Sequence, residues 1–294
     1  MTSADGVPAL PRTLGGQAVI EGVMIRGPRG LAVCVRKPDG ELACRSERSE
    51  GGHRLRGIPV LRGVVALGET LSQGIRALVW SAQIAAGQEP EEPREGQVRA
   101  TMGMSLGFAA AFFLLLPAVA GQRLERAMKR RRLAAALEGP LRMGMLIGYL
   151  RAIGRMPQAQ RLFAYHGAEH RAIQAYEAGE PLEVASLHRF PNAHVRCGTS
   201  FLLTTLLFSS AASAALGPLP AGRRLLWRLA LTPLIVGLSY ETIRLGGSSS
   251  EGIWRWLFLP NLALQGLTTR DPDEGQMEVA LAALRSALAL HEGG

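Results

Sequence analysis

From Thr101 to Gly121 the chain carries no charged residue, and the run includes Phe112, Phe113, Leu114, Leu115 and Leu116. About twenty apolar residues are what a helix needs to cross the hydrocarbon core of a bilayer, so this stretch predicts a membrane-spanning helix. Three further segments join it. Leu137 to Met156 has Arg142 and Arg151 flanking a core from Met143 to Leu150, the pattern of a tilted span or a re-entrant helix. Phe201 to Leu216 is rich in Ser, Thr and Ala, which let helices pack closely in lipid. Leu229 to Leu245 carries Tyr240, Glu241 and Arg244 near its end. An ionisable group that deep is paired or functional, so two readings of Glu241 stand: a metal ligand, or an ion-pair partner of Arg244.

The composition agrees with this reading. Charged residues make up 19 %, and the apolar residues are clumped. The expected fold class is a mainly α membrane protein: a helical bundle of about four apolar helices with a small N-terminal antiparallel β-meander and amphipathic helices. The net charge is +9. Because the arginines lie beside apolar segments and are not interleaved with aromatics, the positive charge points to an anionic membrane surface and away from nucleic acid. The expected partners are a lipid bilayer and a membrane-associated substrate.

Cys34, Cys44 and Cys197 form an odd set with no paired spacing, which argues against a disulfide scaffold and for a reducing compartment around the N-terminal part. Met1 to Arg12 contains no apolar signal core, so a cytoplasmic N terminus is expected.

Residues 1–13 read as a polar tail. Within 14–57, Gln17–Ile20 and Leu31–Arg36 read as strands, with Gly27-Pro28-Arg29-Gly30 as the turn between them and Pro38-Asp39-Gly40 as a second turn. Glu21 stands there among apolar neighbours, either paired with Arg26 or packed against a functional centre. The glycines at 15, 16 and 22 form no phosphate-binding loop. Residues 58–86 show helical spacing interrupted by Arg62, Glu69 and Arg76, an amphipathic helix. An acidic, proline-broken linker follows at 87–98, then a membrane helical domain at 99–270 with a polar connection at 157–200, and a capped C-terminal helix within 271–294.

Four spans with a cytoplasmic N terminus would place Arg123, Arg126, Lys129, Arg130, Arg131 and Arg132 outside, against the positive-inside tendency. The arginines of the 157–200 connection, at 161, 171, 189 and 196, favour the cytoplasmic side for that segment of a multi-pass cell-membrane protein.

The chemistry concentrates in that connection. If 162–178 is helical, His166 and His170 stand four apart on one face, and Glu169 lies beside them. The pattern H-x-x-E-H is that of inverted zinc metallohydrolases, with two histidines on the ion and a carboxylate as general base. A two-histidine helix lacks further ligands, and His194 and Cys197 are spaced to supply them, with zinc first among divalent ions. Glu177, Glu241 and Glu21 are additional ligand candidates, and Arg196 and Arg171 are candidates for holding an anionic substrate. Two other readings of the same residues are helix-surface histidines hydrogen-bonded to Glu169 or to backbone, and a proton relay.

The segments Gly15 to Met24 (GGQAVIEGVM), Tyr165 to His170 (YHGAEH), His194 to Phe201 (HVRCGTSF) and Leu264 to Arg270 (LQGLTTR) together resemble the YqhQ-type bacterial membrane proteins, the domain of unknown function 1385. The resemblance runs from about residue 14 to 285, with Val195 where the family usually has proline and Asn261 where it tends to have glycine. It implies a membrane protein and a predicted metal-dependent enzyme, without naming a substrate. The function expected is a metal-dependent membrane hydrolase with Glu169 as base. A membrane scaffold or insertion factor with a structural metal clip, and a proton-coupled transporter using Glu169, His170 and Glu241, are the alternatives.

Overall fold

Four antiparallel strands pair in chain order: β1 (Gly15–Val19), β2 (Gly22–Gly27), β3 (Gly30–Arg36) and β4 (Leu42–Arg48). The computed structural model describes residues 14–49, 57–91, 94–117, 119–120, 123, 131–217, 219–246 and 253–292. The expected tail at 1–13 lies outside them, as do Arg126, Lys129 and Arg130 of the basic run. Strand β2 goes unmarked in the sequence, because the loop before it is only Ile20 and Glu21, between the paired residues Val19 and Gly22. That loop lacks the Gly, Asn or Asp that would announce a tight turn, and Glu21 itself takes the positive φ of 52°.

Side chains alternate across the sheet with a period of two. Val23, Ile25, Ala32 and Cys34 face one side, where α4 (Pro157–Glu177) and α9 (Glu274–Glu292) cover them. Val19, Met24, Leu31, Val33 and Val35 face the other, against Ala77, Trp80 and Ile84 of α1 (Leu61–Ala85). The sheet is therefore a middle layer between helices.

The remaining helices are α2 (Glu95–Ala110), α3 (Arg131–Ile153), the short α5 (Val184–Leu187), α6 (Gly198–Leu216), α7 (Ala221–Gly246) and α8 (Ile253–Gln265). Leu146 and Leu150 of α3, Leu203 of α6 and Leu264 of α8 close a third apolar cluster. Helix α7 meets α1 closely enough that a side chain at Gly237 would run into the backbone of Val60.

The expected bundle of about four apolar helices is corrected by this arrangement. Among the described residues there are nine α-helices and a four-stranded sheet, and one of the helices, α6, is long and apolar enough to cross a membrane. The other expected segments fall short in regular helical length or in apolar character. Regular helix α2 ends at Ala110 and passes into a π-helical turn at Ala111–Leu115. Helices α3 and α7 carry charges that engage other side chains: Arg142 pairs with Glu138 at 2.7 Å, Arg228 pairs with the same Glu138, and Glu241 pairs with Arg62 of α1.

The cysteine reading is also corrected. Cys34 and Cys44 face each other directly across β3 and β4 and are joined by a disulfide, leaving Cys197 as the free thiol. The odd count hides this pair, because its register appears only once the strands are aligned. Disulfides persist in oxidising compartments, so the cysteines no longer support a reducing one.

Candidate metal centre

Helix α4 starts at Pro157, whose ring is preset for the first helical position, and ends before Gly179, which takes a positive φ of 72°. Its buried stripe is small: Ala164, Ala168, Ala172 and Ala175 let it approach the sheet and α9. Gly167 comes so near the carbonyl of Arg270 that a side chain there would overlap it. Close approach on two sides fixes the rotation of α4, and with it the direction of His166 and His170. Their ring centroids lie 4.3 Å apart.

Each imidazole is oriented by a main-chain carbonyl. His166 Nδ1 lies 2.8 Å from the oxygen of Thr268, and His170 Nδ1 lies 2.6 Å from the oxygen of Asn192. A carbonyl can only accept, so both Nδ1 atoms carry a proton and the Nε2 atoms are left to present their lone pairs. Those lone pairs turn towards Cys197, whose Sγ is 3.2 Å from His166 Nε2. Cys197 caps α6, and the N–H of Thr199 donates to its sulfur at 3.4 Å.

One donor atom from each of His166, His170 and Cys197 falls within 4.8 Å of the other two. In a tetrahedral zinc site an imidazole nitrogen and a thiolate sulfur stand about 3.6 Å apart, so the arrangement needs little adjustment to close on an ion. Two imidazoles with a thiolate form a set that suits zinc among the divalent metals. Glu169 Oε2 adds a fourth group, 3.5 Å from His170 Nε2 and 4.0 Å from His166 Nε2. Gly16 of β1 leaves room for this carboxylate, since a Cβ at that position would overlap it.

Burial dominates the electrostatics. It raises the Glu169 carboxyl above the ordinary carboxylate range, opposed by His166 and His194. It lowers His170 and His194 below the usual imidazole range. Neutral imidazoles are the form a metal requires, and a carboxylate with a raised pKa is better matched to accepting protons near neutrality.

The other candidate residues are placed as follows. His194 stands beside the centre, its ring centroid 5.7 Å from that of His170, with Nε2 3.4 Å from Glu177 Oε2. Glu177 also pairs with Arg196. Arg171 donates to Asn192 Oδ1 and to Asp271 Oδ1, both at 2.7 Å, and so ties α4 to two loops. Glu21 pairs with Arg161 and accepts from Tyr165 Oη at 3.2 Å, both on α4, while Arg26 pairs with Glu69. Glu241 sits with Arg62, accepts the N–H of Val60 at 3.3 Å, and has Arg244 at 3.7 Å.

Several residues that orient the centre carry no chemical signature of their own. Gln265 accepts from the N–H of His194 at 2.8 Å and donates to the carbonyl of His194 at 2.8 Å and to Ser200 Oγ at 3.0 Å. Thr268 and Asn192 act through main-chain oxygens, which any residue could supply.

The chain matches the family described as "Protein of unknown function (DUF1385)" over residues 58–290. It belongs to this family. The DUF1385 match contains His166, Glu169, His170, His194 and Cys197, and also Asn192, Gln265 and Thr268, which hold them. Over 300 residues the chain is 29 % identical to the uncharacterized protein YqhQ of Bacillus subtilis (strain 168), covering 96 % of this chain and 94 % of the relative. No solved structure matches.

Proposed function

We propose that this DUF1385 member is a metal-dependent hydrolase, zinc being the ion the donors suit best, acting on a substrate at a lipid surface. The observation that carries the reading is the pair of carbonyl-anchored imidazoles. Fixing both Nδ1–H groups to main-chain oxygens leaves two Nε2 lone pairs and a thiol sulfur turned to one point, the outer-shell support that metal-binding histidines use.

When bound, a divalent ion supplies Lewis acidity and lets a water lose its proton near neutral pH. His166, His170 and Cys197 hold the position. Glu169 accepts the proton of the attacking water and returns it to the leaving group of a carbonyl or phosphoryl substrate. Arg196, ion-paired with Glu177, keeps a buried Nε without a hydrogen-bond partner among the described residues and is the candidate for an anionic substrate. Cys197 also caps the helix that can cross a membrane, and Leu202 and Leu207 on that helix are exposed. A centre at the end of such a helix meets lipid-associated substrates.

Elemental analysis of the purified protein beside a His166→Ala/His170→Ala variant tests this. About one equivalent of metal in the parent and almost none in the variant is expected; equal content in both ends the reading. A second reading, a structural clip, draws on the closeness of Glu169 to both imidazoles. A carboxylate that completes a four-ligand shell would leave no place for water. Cobalt substitution separates the two: a spectrum that changes on adding azide or another small anion reports an open position.

A further inference from the structure

The first half of α7 is built inside out. Between Gly222 and Leu234 the buried residue is a charged one, Arg228, while Leu226, Trp227, Leu229 and Leu234 are exposed. Helix α3 answers it with a buried stripe at four-residue spacing, Glu138, Arg142, Leu146 and Leu150, whose first two members are charged. A helix packed in water shows the opposite pattern.

These residues meet. Arg142 Nη2 donates to Glu138 Oε1 at 2.7 Å, and Arg228 donates to the same oxygen. Arg142 Nη1 reaches Ser209 Oγ of α6 at 3.2 Å. The side chains of Arg142, Glu138 and Arg228 are 1 %, 6 % and 5 % exposed. Among the described residues two guanidinium ions share one carboxylate, which leaves a buried positive charge in excess. The Nε of Arg142 and the Nε of Arg228 are both buried with no hydrogen-bond partner among the described residues.

We propose that Arg142 and Arg228, with Glu138 between them, form a binding site for one phosphate-class oxyanion. An unbalanced buried charge is among the least favourable arrangements in a protein, and an anion removes both the excess charge and the unmet donors. The planar guanidinium presents paired N–H groups that fit two oxygens of a tetrahedral oxyanion, a geometry a lysine could not offer. Two sources share this chemistry: free phosphate, and the phosphate of a lipid headgroup. Leu137, Leu226 and Leu229 are exposed on the same two helices and give an acyl chain an apolar surface to lie on. The site is separate from the histidine centre and does not depend on it.

The test is phosphorus analysis of the protein purified in phosphate-free buffer, after organic extraction. About one phosphorus per chain is expected, in the organic phase if the source is lipid and in the aqueous phase if it is free phosphate. A triple variant, Glu138→Leu/Arg142→Met/Arg228→Leu, replaces the cluster by apolar groups of similar size and should lose at least ~tenfold of that phosphorus while keeping its helicity and metal content. Phosphorus absent from the parent, or retained equally by the variant, overturns the proposal. Should the triple variant not fold, Glu138→Gln removes the competing carboxylate. Inorganic phosphate, or phosphatidylglycerol vesicles where the parent's phosphorus is organic, should then bind roughly tenfold more tightly, a change of about 1.4 kcal/mol. Unchanged affinity for both probes also overturns it.

Discussion

His166 donates its Nδ1 proton to the carbonyl of Thr268, a residue 102 positions further along the chain, at 2.8 Å. The bond ties the helix bearing the imidazoles to the segment after α8, and Gln265, the last residue of α8, holds His194. Truncating Gln265 leaves the N–H and carbonyl of His194 and the hydroxyl of Ser200 without this partner in a buried setting. Gln265→Ala should therefore cost about 3 kcal/mol of stability, given roughly 1–3 kcal/mol for each group left unsatisfied and partial rescue by water. Chemical denaturation measures it; a loss below about 1 kcal/mol would mean that the clamp is ornamental.

Gly16 offers a way to disturb Glu169 without touching a histidine. A Cβ at position 16 would overlap the Glu169 carboxylate, so Gly16→Ala must push that side chain aside. With Glu169 as proton acceptor, the variant keeps its metal and loses roughly 10²–10⁴-fold in turnover of whichever ester or phosphoester substrate a screen identifies. With Glu169 as a ligand, metal content falls too. Measuring both quantities on the one variant distinguishes the roles.

The local pattern was the legible part. Tyr165 to His170 declares its own geometry, because four-residue spacing on a helix brings His166 and His170 to one face wherever that helix lies. The need for a further donor left His194, Cys197, Glu177 and Glu241 all open, and the structure sets the Cys197 sulfur beside both imidazoles. The unmarked parts depend on long-range placement. Asn192 and Thr268 meet the imidazoles through main-chain oxygens, so their side chains do not mark that role. Glu21 looked like a partner for Arg26, five residues away, yet the hairpin turns it towards Arg161 and Tyr165. The apolar runs misled for a related reason. Hydropathy cannot tell a helix facing lipid on every side from one that buries Glu138 and Arg142 along a single stripe.

The disulfide gives a prediction that needs no activity. Cys34 and Cys44 are ten residues apart and already opposed in the β3–β4 register. Unfolded without reductant, the protein should take up one alkyl group, at Cys197; unfolded with reductant it should take up three. By chain-entropy reasoning, closing a ten-residue loop contributes about 2–3 kcal/mol, so reduction should lower stability by up to that amount. Three alkyl groups without reductant would show that the bridge does not form.

Acid should weaken the metal-free protein through His194. Burial lowers its pKa below the ordinary imidazole value, with Glu169 opposing and Glu177 beside Nε2. Above the ordinary value near 6.5 both the folded and unfolded forms are neutral there, and the group sets no pH dependence. As the pH falls through that value the unfolded chain takes up the proton first, because the folded site resists it. Stability therefore drops as the pH falls below about 6.5, and levels off only once the folded imidazole is protonated too. Thermal melts of chelator-treated protein at pH 7.5 and 5.5 should show the loss, and His194→Gln should reduce it. A larger acid loss in the variant would reverse the sign assigned to this residue.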